Sequence, residues 1–402
     1  MEYLILKNLY HRDQKQYQQL LANRLNAQDS LYRIPVNISG NPAFIVISQE
    51  IMSLITQIYY RNNKLTRLFN ALPDVIFGQY FEQLIVDEIQ ASNEMEGVRS
   101  TKKELLATLN NPNPHRKRKF QGLVNYYAQI LKPREKPIPL ATSQDIRDLY
   151  DVILAPEIAP EDQPDGDIFR KNEVHILSAA TGRDIHQGLL PESRIIQTID
   201  QCLNFLNDEN IPHIIRITAF HYLLGYIHPF YDGNGRLSRF ITSYLLIDSL
   251  NFLVAMKIST SIFSHLNSYY KAFETCNHPL NKGDITPFII FFLELIYETI
   301  ENLIADLTQK QNKLEYYKNL LEQERFASLN HDAHNILYQL IQITVFTDTA
   351  ITRAELAQIS KYSHYKINKY LSQLENLGYI TKTQNKSYRY LANIELLDKQ
   401  EA

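Results

Sequence analysis

Apolar residues recur along this chain mainly with the period of helices. Ile51, Leu54, Ile55, Ile58 and Tyr59 follow the i, i+3, i+4, i+7, i+8 spacing of one buried face, and residues 80–95 predict a second helix. Further helices are expected over 144–153, 195–205 and 214–226. Leu237, Phe240, Ile241, Tyr244 and Leu245 mark another buried face directly afterwards. A long helical pattern fills 285–327, with Leu307, Leu314 and Leu321 at heptad spacing. Helices are then expected at 336–343, 353–359 and 364–377, the last burying Ile367, Tyr370, Leu371 and Leu374. Strand character is local. Residues 174–177, followed by the turn signal Thr181-Gly182-Arg183-Asp184, predict a hairpin, and 379–382 with 388–391 predict another around Asn385-Lys386.

Breaker clusters divide this pattern. Asn110-Asn111-Pro112-Asn113-Pro114 and then Pro133, Pro137 and Pro139 separate an N-terminal helical part, 1–140, from a core domain, 141–305. A connecting helix, 306–330, and a C-terminal domain, 331–402, follow. The basic run 115–119 lacks interleaved aromatics and reads as a solvated loop or helix start. With 45% hydrophobic and 21% charged residues, the composition is that of a soluble globular protein, and a net charge of −3 gives no general attraction to polyanions. The most apolar run, 285–304, is interrupted by Glu294, Glu298 and Glu301, which excludes a membrane span there. The two cysteines, Cys202 and Cys276, have no metal-type spacing, and no signal-peptide core is visible. A cytoplasmic setting is expected.

The chemistry concentrates at His228-Pro229-Phe230-Tyr231-Asp232-Gly233-Asn234-Gly235-Arg236-Leu237-Ser238-Arg239. Gly233-Asn234-Gly235 would turn the chain into a helix whose first N–H groups lack intrahelical partners and carry the positive end of the dipole. Those amides, with the guanidinium forks of Arg236 and Arg239, suit a polyphosphate. Asp232 is a candidate ligand for magnesium, and His228 can take a proton near neutral pH. A turn between two core helices would explain the glycines, but not two arginines and a carboxylate.

All nine specified positions of this stretch match the Fic-family signature His-Pro-Phe-x-Asp-Gly-Asn-Gly-Arg-x-x-Arg, and the chain is identified by it as resembling that family. The resemblance implies a mostly α fold, with a Fic-type helical core and a β-hairpin flap. It implies a protein adenylyltransferase that moves AMP from ATP to a Ser, Thr or Tyr hydroxyl of a target protein. His228 would be the base, Gly233, Asn234 and Gly235 would hold phosphates, and Asp232 would hold Mg2+. Arg236 would bind the leaving pyrophosphate and Arg239 the γ-phosphate.

Upstream, Ser92, Glu96 and Gly97 match the family's inhibitory pattern Ser/Thr-x-x-x-Glu-Gly/Asn, which implies that Glu96 pairs with Arg239. Ser92 and Glu96 share a helix face, with Gly97 as terminator. Phe169-Arg170 and the strand residues Val174, Ile176 and Leu177 resemble the flap that would hold the target segment by backbone pairing. Tyr269, Tyr270 and Asn277 resemble the contacts to adenine and ribose. The C-terminal pattern of three helices and a hairpin resembles a winged helix-turn-helix. It would present Lys366, Lys369 and Lys386 to DNA, although nearby acidic residues nearly cancel its charge and protein docking is the other option. Three other functions remain open: removal of AMP at the same site, transfer from a different donor, and an ATP-sensing DNA-binding regulator with little transferase activity. The family suggests a homodimer, and the many tyrosines leave self-modification open.

Overall fold

The computed structural model describes residues 3–110, 118–130, 137–177, 184–347, 349–384 and 388–399. The chain divides into two compact units, residues 1–63 with 85–301 and residues 64–84 with 302–402. Helices dominate both.

The first unit is built around helix His213–Ile227, buried on nearly every side. Its sequence, HIIRITAFHYLLGYI, is apolar all round rather than on one stripe, as a central helix requires. Helices Glu192–Leu206 and Asn234–Leu246 pack against it. The latter, here the signature helix, buries Leu237, Phe240, Ile241 and Tyr244, four of the five residues expected on its inner face; Leu245 is half-buried.

Two strands stand where helix was expected. β1 (Leu31–Ile38) and β2 (Asn41–Val46) form an antiparallel hairpin that packs on Glu192–Leu206. Ile34, Val36 and Ile38 alternate inward in β1. Pro35 sits where the register shifts, between Ile34 and Asn37, so the proline hides the strand signal by making it irregular. The turn residues Ser39 and Gly40 both have positive φ, 47° and 79°, which suits a two-residue hairpin.

The hairpin expected after residue 174 is present as β3 (His175–Leu177) and β4 (Asp184–Gln187), paired His175 to Gln187 and Ile176 to His186. Its turn signal, 181–183, lies outside the described residues. Helix Thr286–Leu321 is continuous, and residues 302–321 belong to the second unit.

That second unit also contains helix His331–Phe346, β5 (Ile351–Thr352), helices Arg353–Ser360 and His364–Asn376, and the hairpin β6 (Ile380–Gln384) and β7 (Tyr388–Ala392). The strands form one antiparallel sheet in the order β5-β7-β6. Thr352 and Glu355 close a capping box on Arg353–Ser360, and Ser363 caps the next helix. Among the described residues, no helix is long and apolar enough to cross a membrane.

Candidate active site

Helix His213–Ile227 ends on His228, whose backbone is left-handed at φ 53°. That conformation is uncommon outside glycine and needs support. Arg170, fully buried, supplies it: its guanidinium donates to the carbonyls of His228 (2.8 Å), Asn172 (2.6 Å) and Leu189 (3.0 Å). Burial lowers the Arg170 pKa. Burial likewise drives the His228 imidazole down to about 4, against the opposing pull of Glu96, so the ring is neutral at pH 7. After His228 the chain is pinned by Phe230, stacked face to face on Tyr150 at 3.7 Å. The Asn234 side chain accepts the Phe230 N–H (2.9 Å) and donates to its carbonyl (2.8 Å). Its amide is therefore spent on closing the turn, while its backbone opens the signature helix.

The first intrahelical bond of that helix runs from Leu237 N–H to Gly233 carbonyl, 3.0 Å. The N–H groups of Asn234, Gly235 and Arg236 precede it, at the positive end of the dipole. Against them lies a carboxylate. A Cβ at Gly235 would stand 2.0 Å from Glu96 Oε1 and 2.8 Å from Arg239 Nη1, so only glycine admits this approach. Arg239, buried, donates from Nη2 to Glu96 Oε1 (2.7 Å) and to the Ser92 carbonyl (2.9 Å), and from Nε to Ser92 Oγ (2.9 Å). Burial opposes its charge, yet Glu96 holds the guanidinium pKa above its usual value. Gly97, at φ 69°, follows the end of helix Phe77–Met95.

The contact extends further than the inhibitory pattern. Glu88 and Ser92 on Phe77–Met95, with Glu96 directly after its end, are spaced four apart and meet Ser243, Arg239 and Gly235, spaced four apart on the signature helix. Glu88 is fully buried and accepts from the backbone N–H of Ser259 (2.7 Å), the N–H of Thr260 (3.4 Å) and Ser243 Oγ (3.4 Å). Burial raises its pKa, and these donors pull it back.

Asp232 and Arg236 lie to one side. Asp232 Oδ1 accepts the Gly233 N–H (2.5 Å) and Oδ2 accepts from Arg236 Nη2 (3.1 Å). The Arg236 side chain is only 2% exposed, and its Nη1 stands 3.7 Å from Glu157 Oε2. Burial pushes the Glu157 carboxyl up to about 7 despite Arg236. Magnesium usually takes one or two protein carboxylates and completes its shell with phosphate oxygens and water. Asp232, half-exposed at the mouth of the signature helix, fits as such a single carboxylate. Among the described residues no group of three or more His, Cys, Asp or Glu gathers to hold a metal.

One cavity of about 680 Å³, counting its open mouth, brings together His228, Asn234, Gly235, Arg239 and Glu96 with Tyr269, Tyr270 and Asn277. His186 on β4 also lines it, its ring stacked on Tyr226 at 4.3 Å. Arg236 does not line it. Tyr269 is turned inward. Thr242 spends its hydroxyl proton on the Ser238 carbonyl, so His221 Nδ1–H must donate to Thr242 and His221 Nε2 accepts from the Tyr269 hydroxyl (2.8 Å). Burial lowers the His221 pKa to about 3, so the ring stays neutral. Tyr269 therefore offers the cavity its ring rather than its hydroxyl. Asn277 Oδ1 is taken by the Tyr222 hydroxyl at 2.6 Å. At the β3–β4 hairpin, the Val174 carbonyl accepts the Gly188 N–H (3.1 Å), and Ile176 and Leu177 supply β3 backbone.

In the second unit Lys366 is exposed but paired with Asp332 (2.8 Å), and Lys369 stands over the Tyr370 ring at 5.3 Å. Lys382 pairs with Glu375 (3.1 Å). Lys386 lies outside the described residues.

Residues 140–246 match the model of the Fic/DOC family. The chain is similar to "Protein adenylyltransferase Fic" of Nematostella vectensis, 36% identical over 102 residues, which are 25% of this chain and 22% of that protein. It is similar to the protein of the same name from Drosophila yakuba, 28% identical over 172 residues, 42% of this chain and 31% of that one. The matches thus span less than a third of these relatives' own lengths. A crystal structure of a Fic family protein from Desulfovibrio desulfuricans G20 superposes with a TM-score of 0.53 at 17% identity, covering 90% of this chain and 98% of that one. Residues 140–246 thus match the Fic/DOC family, and the helical core has the fold of that Fic family protein.

Proposed function

We propose that the protein transfers AMP from ATP to a Ser, Thr or Tyr hydroxyl of a target protein, and that Glu96 keeps it latent. The observation that carries this reading is the shared cavity in which Arg239 is bound by Glu96 and Ser92 directly over Gly235, beside a neutral His228. The target hydroxyl attacks the α-phosphorus, the bond to the bridging oxygen breaks, and pyrophosphate leaves. His228 takes the hydroxyl proton, and its low pKa keeps it ready as a base. The free N–H groups at the start of the signature helix stabilise charge developing on the α-phosphate. Asp232 would hold magnesium, which when bound neutralises phosphate charge. Arg239, once clear of Glu96, fixes the γ-phosphate so that the α-phosphorus faces the attacking group. Tyr269, Tyr270 and Asn277 line the same cavity, and adenosine would lie against them. Labelled-ATP transfer by wild type, Glu96→Gly and Glu96→Gly with His228→Ala tests the reading; labelling of the single variant alone is expected.

A second reading, a DNA-binding regulator that senses ATP, draws on the second unit, whose helix, strand, helix, helix and hairpin follow in winged-helix order. The pairing of Lys366 with Asp332 and Lys382 with Glu375 weighs against a free basic face. Gel-shift binding at low salt that disappears in Lys366→Glu would favour it; no binding to any duplex would remove it.

A further inference from the structure

We propose that Glu157 is a positioning residue that receives the Arg236 guanidinium when Asp232 turns to a divalent cation. This rests on the metal–nucleotide reading of the site above. Arg236 is buried and bridges two carboxylates, but unequally. The contact to Asp232 Oδ2 is a closed hydrogen bond of 3.1 Å. The contact to Glu157 is open: Nη1 and Oε2 stand 3.7 Å apart. Among the described residues, neither Glu157 Oε2 nor Arg236 Nε has a hydrogen-bond partner. The Glu157 side chain is 7% exposed, so water does not compensate it well.

An unclosed ion pair therefore lies beside a closed one, with a single guanidinium between them. Asp232 Oδ1 is engaged by the Gly233 N–H and Oδ2 by Arg236, so a cation that binds through Oδ2 draws that oxygen from Arg236. Without a second acceptor, that exchange would strand a buried guanidinium, which is costly. Glu157 offers the second acceptor from the short turn Ala155–Glu157, outside the signature, and a small rotation of Arg236 closes the pair. Arg236 is thereby a movable counter-charge, and Glu157 is its resting place in the metal-bound state.

Calorimetry of ATP binding tests this in the Glu96→Gly background, with excess Mg2+ and with EDTA. The ratio of the two affinities reports the metal's contribution. Glu157→Gln is expected to lower that ratio about tenfold, the usual effect of losing a partner behind a metal ligand. Affinity for metal-free ATP should stay unchanged, and Glu157→Asp should give a smaller loss. In an Asp232→Ala background, Glu157→Gln should have no further effect on the ratio. An unchanged or raised ratio in Glu157→Gln, with an unaltered melting temperature, would overturn the role of Glu157. If Glu157→Gln melts early, Glu157→Asp decides, and an unchanged ratio there overturns it. A parent that binds ATP equally with and without Mg2+ would overturn the metal reading itself, and one that binds no ATP would overturn the nucleotide site.

Discussion

Gly235 and His228 carry the sharpest consequences of single residues. Because a Cβ on Gly235 would overlap Glu96 Oε1, Gly235→Ala should evict Glu96 from Arg239 yet leave the phosphate cradle blocked by the same methyl. We expect this variant to transfer AMP about a hundredfold less than Glu96→Gly. Comparable labelling by the two would show that phosphate does not approach Gly235. For His228, burial predicts an imidazole that titrates near a pKa of about 4 in the nucleotide-free protein. A histidine pKa lowered by folding means that the unfolded chain binds the proton more readily. The linked stability is whole above the ordinary value and is lost as pH falls through the folded pKa. Imidazole chemical shifts followed against pH check this, and a midpoint near 6.5 would contradict it. The signature itself was legible because its residues are consecutive. Glu157 was not, since it reaches Arg236 through folding alone and nothing around Pro156 marks it. The inward turn of the Tyr269 hydroxyl was equally invisible, being set by the proton order through Thr242 and His221.

Among elements, the contact between Phe77–Met95 and the signature helix is the one through which Glu96 would hold the site latent in the proposed reading. Sequence spacing placed Ser92 and Glu96 on one face, but Glu88 in that stripe looks like any solvated helix glutamate. Its burial comes from the backbone N–H groups of Ser259 and Thr260, far along the chain. Removing it strands those donors. Glu88→Ala should destabilise the first unit by about 3 kcal/mol in chemical denaturation, and Glu88→Gln by less, because the amide still accepts. A neutral effect of Glu88→Ala would mean that the stripe is not under load. The β1–β2 hairpin escaped the reading for a different reason: its inward alternation is short, and Pro35, which cannot donate to the ladder, sits where the pairing register shifts. The flap hairpin was readable because its alternation and turn signal are local.

For the whole molecule, burial of His221 and His228 as neutral rings in one unit predicts a direction for acid sensitivity. Both pKa values are lowered by folding, to about 3 and about 4. The contribution of these two rings should therefore be flat above pH 6.5 and fall as pH drops toward 4, while the raised Glu157 carboxyl acts in the opposite direction up to its folded value of about 7. Melting temperature against pH measures this, and the slope should lessen in His221→Gln if that variant folds. A slope in His221→Gln as steep as that of wild type would contradict a proton-linked burial of that ring. The helical class of the fold was clear from the 3.6-residue period. The division into units was less so, because residues 64–84 join 302–402 across a long sequence separation. The central claim is a latent nucleotidyl-transfer site held by one carboxylate. Its most direct test is protein-bound AMP from labelled ATP and Mg2+ in wild type, Glu96→Gly, and Glu96→Gly with His228→Ala. Strong labelling in Glu96→Gly alone is the predicted result. No labelling in any of the three, with ATP binding intact by calorimetry, would contradict it.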